Sequence, residues 1–173
     1  MRLLLLPVLA TFALGLISAP SALAQSRTGV INFQNAVLST AEYKKAIADL
    51  QTKFKPRQDA LNKARQALTD IETQLRSSQG QLSSAGAAEL QANGQRKQVE
   101  VQRLDEDLRE DSEREQQAAI RLVSTRMGEV LKKLAEDKQL DVIVDTASVP
   151  FFRPEAEVTD QAVAAYDAAH PAK

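Results

Sequence analysis

The chain has 173 residues, with 22 Lys and Arg against 23 Asp and Glu, a net charge of −1 and no cysteine. That length holds one ordinary domain. The missing thiols exclude disulfides, thiolate chemistry and a cysteine-linked lipid, and the balanced charge excludes the concentrated basic surface that nucleic acid requires.

In chain order, Met1-Arg2 is a short positive start and residues 3–17 are almost wholly apolar. The run is shorter than the ~20 residues a membrane span needs, and Pro7 interrupts it. Ala22-Leu23-Ala24 then forms a small-x-small cleavage site. The expectation is a signal peptide over residues 1–24, cut after Ala24, and a single exported domain over residues 25–173. Beyond that site the aromatics are Phe33, Tyr43, Phe54, Phe151, Phe152 and Tyr166, with none between Phe54 and Phe151. Aromatics dominate compact cores, so the middle of the chain is expected to contribute no thick globular core.

Gly29-Val30-Ile31-Asn32-Phe33 reads as a short strand. Ser39-Thr40-Ala41-Glu42 fits a capping box, with Ser39 as the cap and Glu42 reaching back to it, and Leu38 and Tyr43 stand as a hydrophobic staple. From there Ile47, Phe54, Leu61, Leu68, Leu75 and Leu82 recur every seventh residue, with Tyr43, Leu50, Arg57, Ala64, Ile71 and Ser78 as the patchy partner positions. The flanking residues are mostly polar or Ala, and so narrow a stripe predicts a two-helix seam rather than a broad core face. Gly80, Gly86 and Gly94 with Ser77, Ser78, Ser83 and Ser84 break the pattern, so the turn is expected near residues 80–86, with a second helix starting about Gly86. Leu90, Val101, Leu104 and Leu108 resume the stripe, and Ile120, Leu122, Val123, Met127, Val130, Leu131 and Leu134 complete it.

The arms should therefore be antiparallel, each about 40 to 50 residues and ~60 to 75 Å long. Charge supports that register. Residues 41–70 carry seven basic and four acidic side chains, whereas residues 100–115 carry eight acidic and three basic. Folding about residues 84–86 sets Arg57 and Arg65 opposite residues 107–115, which fixes register more than it adds stability. Pro56 lies inside the first helix and residues 109–117 hold no apolar side chain. Both arms lose the seam at the same height, so Pro56 marks a candidate joint.

After the hairpin, Leu140-Asp141-Val142-Ile143-Val144-Asp145 reads as a second strand and residues 150–153 as a candidate third. Thr159 is the expected cap of a last helix, stapled by Val158 and Val163. Three short strands and a small helix bury little surface and leave edges exposed. The base, with Val30, Ile31, Phe33, Val142, Ile143, Val144 and Phe151 as its core and assembly residues, is therefore expected to self-associate. The fold class is α+β: mostly helical, with a long antiparallel coiled-coil hairpin (residues 39–138, seam Ile47, Phe54, Leu61, Leu68, Leu75, Leu104 and Leu108) on a strand-containing oligomerisation body (residues 25–38 and 139–173).

Chemistry-bearing patterns are weak. Asp105, Glu106, Asp107, Glu110, Asp111, Glu113 and Glu115 read as a solvated helix face rather than a cation site. Asp141 and Asp145 read as solvated or edge-protecting positions, and His170, the only histidine, as a mobile surface residue near the C-terminus. No nucleophile, base and orienting group converge, so the expectation is a non-enzyme without cofactor or metal.

The order of these parts resembles the Skp/OmpH family of periplasmic chaperones over essentially the whole exported chain. The resemblance rests on the leader, on Gly29-Val30-Ile31-Asn32-Phe33, on the capped helix with Phe54-Lys55-Pro56-Arg57, on the strand at residues 140–145, and on Val158-Thr159-Asp160 with Val163. It implies a periplasmic homotrimer in which strands of three chains form a small barrel and three hairpins hang around a cavity. It also implies an ATP-independent holdase whose partners are unfolded outer-membrane proteins. Studied members are strongly basic with cationic arm tips, whereas here the pI is about 5.9. Between residues 76 and 98 the charged side chains are Arg76, Glu89, Arg96 and Lys97, so affinity for lipopolysaccharide or membrane does not carry over. The alternative is a scaffolding coiled coil of the cell envelope that binds one partner through its tip, residues 77–95.

Overall fold

The computed structural model describes residues 27–78 and 82–172; the expected leader and the centre of the hairpin turn, Gly80 included, lie outside the described residues. Strand β1 (Thr28–Ile31) leads into helix α1 (Phe33–Ser39), and helices α2 (Ala41–Ser77) and α3 (Ser84–Lys138) form the hairpin. Strand β2 (Val142–Asp145) follows, then single turns at Thr146–Ser148 and Pro154–Ala156, and helix α4 (Thr159–Ala169) closes the order. Among the described residues no helix is long and apolar enough to cross a membrane.

β1 and β2 pair in parallel, Thr28 with Val142 through Ile31 with Asp145. Parallel neighbours need a crossover between them, and here the entire hairpin is that crossover. Gly29 sits where the sheet is tightest, since a Cβ there would lie 2.9 Å from a Leu140 methyl. The expected third strand is absent. Residues 150–153 are not paired, and the other side of β1 is met by Glu157, which bridges Val30.

Helix α1 was not expected, because the first strand was read through to Phe33. β1 ends at Ile31, where Asn32 turns the chain and its Oδ1 accepts from the Asn35 amide at 2.9 Å. The capping box is corrected in the same stretch. Ser39 closes α1, and Thr40 caps α2 by accepting from the Tyr43 amide at 3.2 Å. Thr159 is likewise no cap. Its hydroxyl accepts from the Asn32 amide at 3.0 Å and ties the end of β1 to the start of α4.

The two arms are unequal: α2 has 37 residues and α3 has 55, or about 55 and 80 Å at 1.5 Å per residue. α3 begins at Ser84, capped by Ser83, two residues before the expected start, and Gly94 lies inside it against Ile71. Its far end continues past the start of α2 into the body. There Val123, Met127, Val130 and Leu134 pack with Ala36 and Val37 of α1, Tyr43 of α2, and Val158, Ala162 and Tyr166 of α4. Among the described residues this is the one substantial core, and it sits at the arm root. α3 stops in a Schellman turn, with Gln139 left-handed at φ 54° and the Leu140 amide donating to the Ala135 carbonyl at 2.8 Å.

Candidate functional site

The surfaces that distinguish this molecule are the free-standing arm, the node that fixes its root, and the open side of the body. Along the arm, Leu61 is 1% exposed and Phe54 and Ala64 are buried with it. Ile47, Leu68, Leu75, Leu104 and Leu108 of the expected seam are half-buried, and Leu82 is exposed near the turn. A two-helix seam has no further layer to cover it, so most of its aliphatics stay half-exposed while Leu61, Phe54 and Ala64 form its one well-enclosed stretch among the described residues.

Where apolar contacts lapse on α3, charge bridges the arms. Lys53 meets Glu115 at 2.6 Å, Arg57 meets Asp111 at 2.6 Å, and Arg65 meets Asp105 at 2.7 Å. The cations stand on α2 and the acids on α3, the sense that the charge asymmetry implies; Asp105 falls two residues outside the expected stretch. The acidic run is thus not wholly a solvated face: Asp105, Asp111 and Glu115 face the partner arm, while Glu110 and Glu113 pair along their own helix with Arg114 and Arg109. Lys53 first by hydrogen bond and then by charge holds the Glu115 carboxyl below its ordinary range. These pairs are largely solvated, so they set register and contribute little energy.

Helix α2 continues through Pro56, which lacks the amide that would donate to the Thr52 carbonyl. Beside it a groove of about 440 Å³ opens between the arms, walled by Ile47, Leu50, Phe54 and Leu108 and rimmed by Gln58, Ser112 and Gln116. The Lys53 ammonium and Arg57 guanidinium each stand 5.6 Å from the Phe54 ring centre.

At the root, α4 clamps the start of α2. Tyr166 Oη donates to Glu42 Oε2 at 2.5 Å, Arg126 of α3 donates to Glu42 Oε1 at 2.5 Å, and the Ala41 amide donates to Asp167 Oδ1 at 2.9 Å. Glu42 therefore joins three helices instead of closing a local capping box. Burial pushes its carboxyl up, but the hydrogen bonds from Tyr166 and Arg126 outweigh that and hold it below the usual carboxylate range. Burial, and then the bond to Glu42, push the Tyr166 phenol well above its ordinary value. His170, expected at the surface, is half-buried, its ring centre 4.9 Å from that of Tyr166. Sequence reading missed this node because its partners are far apart in the chain. The one local signal was an acidic residue in the first turn of α2.

In the body, Val30 and Ile31 are buried, and Phe33, Ile143 and Val144 are half-buried. Val142 and Phe151 are not part of the chain's own core: they are 43% and 80% exposed. Asp145 is no edge guard either, because its carboxylate caps the Phe33 amide at 3.2 Å and the Ala147 amide at 2.8 Å. Asp141 accepts from the Arg27 amide at 2.8 Å. Among the described residues no cluster of His, Cys, Asp or Glu has the grouping of a metal site.

Residues 27–166 match the family described as outer membrane protein (OmpH-like). The chain is 21% identical to a Skp-like protein of Pseudomonas aeruginosa over 148 residues, which is 86% of this chain and 88% of that one. Its fold superposes with a TM-score of 0.69 on the crystal structure of an OmpH-like protein of Caulobacter crescentus CB15, described there as a candidate outer membrane chaperone. That pair shares 22% identity, covering 87% of this chain and 89% of the other.

Proposed function

This chain belongs to the OmpH-like family, and we propose that it acts as an ATP-independent periplasmic holdase, keeping unfolded outer-membrane proteins soluble as a self-assembled set of arms. The observation that carries this reading is the arm itself. A 55-residue helix and its 37-residue partner stand off a small body, and among the described residues they touch the rest of the chain at the root. Such an arm offers a long surface rather than an enclosed pocket of the kind that takes a small ligand.

The chemistry of that surface suits transient holding. Most aliphatic side chains of the arm are at least half-buried, and its exterior is largely charged, amide or small, with Leu82, Val99 and Leu122 as exposed exceptions. A client segment would find many weak contacts and no deep trap. The body supports the second half of the reading, since a two-stranded sheet with an unpaired edge is too small to stand alone comfortably. Three chains, with their arms pointing the same way, are the part of this proposal taken from what the family resemblance implies.

The test is light scattering as a urea-unfolded outer-membrane β-barrel protein is diluted into buffer containing the chain from residue 25 onward, without ATP. Suppressed aggregation that saturates near one assembly per client supports the holdase. Unchanged aggregation, with the protein helical and assembled, refutes it for that client class and favours the scaffold.

A further inference from the structure

The end of α4 lies across the start of the arm. Among the described residues two hydrogen bonds join α4 to α2: Tyr166 Oη donates to Glu42, and the Ala41 amide donates to Asp167, so both end on a carboxylate. Arg126 of α3 donates to the same Glu42, and one acid therefore ties the roots of both arm helices to the end of the chain. The residues after α4 stay at the same place. The His170 amide donates to the Tyr166 carbonyl at 2.7 Å, and Pro171 and Ala172 help to wall a polar cleft of about 650 Å³ that Glu42 also lines. Apolar burial in this region runs from Val158 through Ala162 to Tyr166, whereas residues 167–172 are half-buried or exposed. A segment with so few buried apolar contacts opens at a lower free energy than the whole domain.

We propose that residues 166–172 form an acid-released strap: ionised Glu42 binds it across the arm root, and protonated Glu42 lets it go while the core stays folded. A carboxylate holds a hydroxyl and a guanidinium more strongly than the neutral acid does. Glu42 keeps 24% of its side chain exposed at the cleft, so a proton reaches it without unfolding. The groups around it are Arg126 on α3, Lys45 and Asp49 of opposite charge on α2, and Tyr166, Asp167 and His170 on the strap; α1 carries no titratable side chain. Burial raises the Glu42 carboxyl, but the bonds from Tyr166 and Arg126 outweigh it and hold it below its usual range. The strap is therefore closed at neutral pH and loosens as pH falls through that lowered value. Release removes the bonds from α4 to α2 and leaves the arm root to its apolar packing. This goes beyond the holdase reading, since it concerns how the arm is attached, whatever the arm takes.

The test is amide hydrogen exchange at pH 7, read by mass spectrometry of peptide fragments from the chain from residue 25 onward and from its Glu42→Gln variant, the neutral isostere. Far-UV circular dichroism confirms folding. The fragment covering residues 160–172 has the same sequence in both proteins, so its rates compare directly. Its protected amides are expected to exchange about tenfold faster in Glu42→Gln, the difference between a charged and a neutral acceptor. The fragment covering residues 123–134, in the core, should change by less than about twofold. Tyr166→Phe keeps the acid and removes the donor on the strap; it should give the same local pattern, and it carries the test should Glu42→Gln fail to fold. The ratio of the Glu42→Gln rate to the parent rate should fall towards one as the parent's own Glu42 takes up its proton. Unchanged exchange over residues 160–172 in both variants, equal acceleration across residues 123–134, or a ratio that grows as pH falls overturns the strap. Each of these leaves the holdase reading standing, because none involves a client.

Discussion

Replacing Tyr166 with Phe removes one oxygen from the arm root and leaves the ring in place. The side chain is fully buried, and its hydroxyl donates to Glu42 at 2.5 Å. A hydrogen bond to a charged acceptor contributes about 1.5 to 3 kcal/mol, whereas a neutral one contributes about 1. Glu42 keeps its bond from Arg126, so the expected loss at pH 7 is about 2 kcal/mol. The loss depends on pH. The folded-state pKa of Glu42 is lowered from 4.5, so the stability its ionised form contributes is present above the unfolded value and disappears as pH falls through the folded one. The penalty for Tyr166→Phe should therefore shrink towards about 1 kcal/mol as pH falls through the lowered folded-state value of Glu42 and the bond becomes neutral. Urea unfolding followed by circular dichroism at pH 7, 5 and 3.5, for parent and variant at equal concentration, measures it. A difference under ~0.5 kcal/mol at pH 7, or one that grows as pH falls, refutes the assignment of Glu42 as the charged acceptor.

Further predictions concern the sheet, the end of α3 and the seam. Gly29→Val places a branched side chain where one carbon already meets Leu140 at 2.9 Å, and should destabilise the body by about 1 to 3 kcal/mol in the same urea assay. Gln139→Gly relieves the left-handed conformation at φ 54° and should stabilise by up to about 1 kcal/mol, visible as a higher urea midpoint at unchanged slope. Leu61→Ala opens a cavity at the best-buried point of the arm. About 3 kcal/mol of local stability should be lost, appearing as faster amide exchange in the middle of both arms with little change at the root.

The hairpin was legible because its signal is local and repeated. Phe54, Leu61 and their heptad mates mark one face whatever packs on it, and the opposed charge of the two arms gave the register that Arg57 and Asp111 realise. What escaped depended on distant partners or on competing local choices. Ser39 and Thr40 are adjacent hydroxyls with equal claims to a cap, and the choice between them follows from α1, whose seven residues carry too few apolar positions to show a period. Glu42 looked like a capping-box acid because its true partner, Tyr166, lies 124 residues away. Phe151 is expected among the core and assembly residues of the base, and within one chain it stands 80% exposed. Sequence does not distinguish a side chain buried by its own fold from one left outside it.

The parallel pairing of β1 with β2 also bears on how the molecule forms. Residues 28–31 find their strand partner at residues 142–145, so as a loop the sheet carries a large closure entropy. The same two ends are brought close at little further cost once α2 and α3 have zipped, because helix pairing is built from short-range steps that spread from the turn. Helix should therefore appear first in stopped-flow refolding by far-UV dichroism. Fluorescence of Tyr43 and Tyr166, the only tyrosines and both at the root, should lag behind it. Simultaneous traces would mean that the strands meet early and that the hairpin grows from the body outward. In the expected order the arms are complete before the body exists, so the length of the arm is fixed independently of anything the body later does.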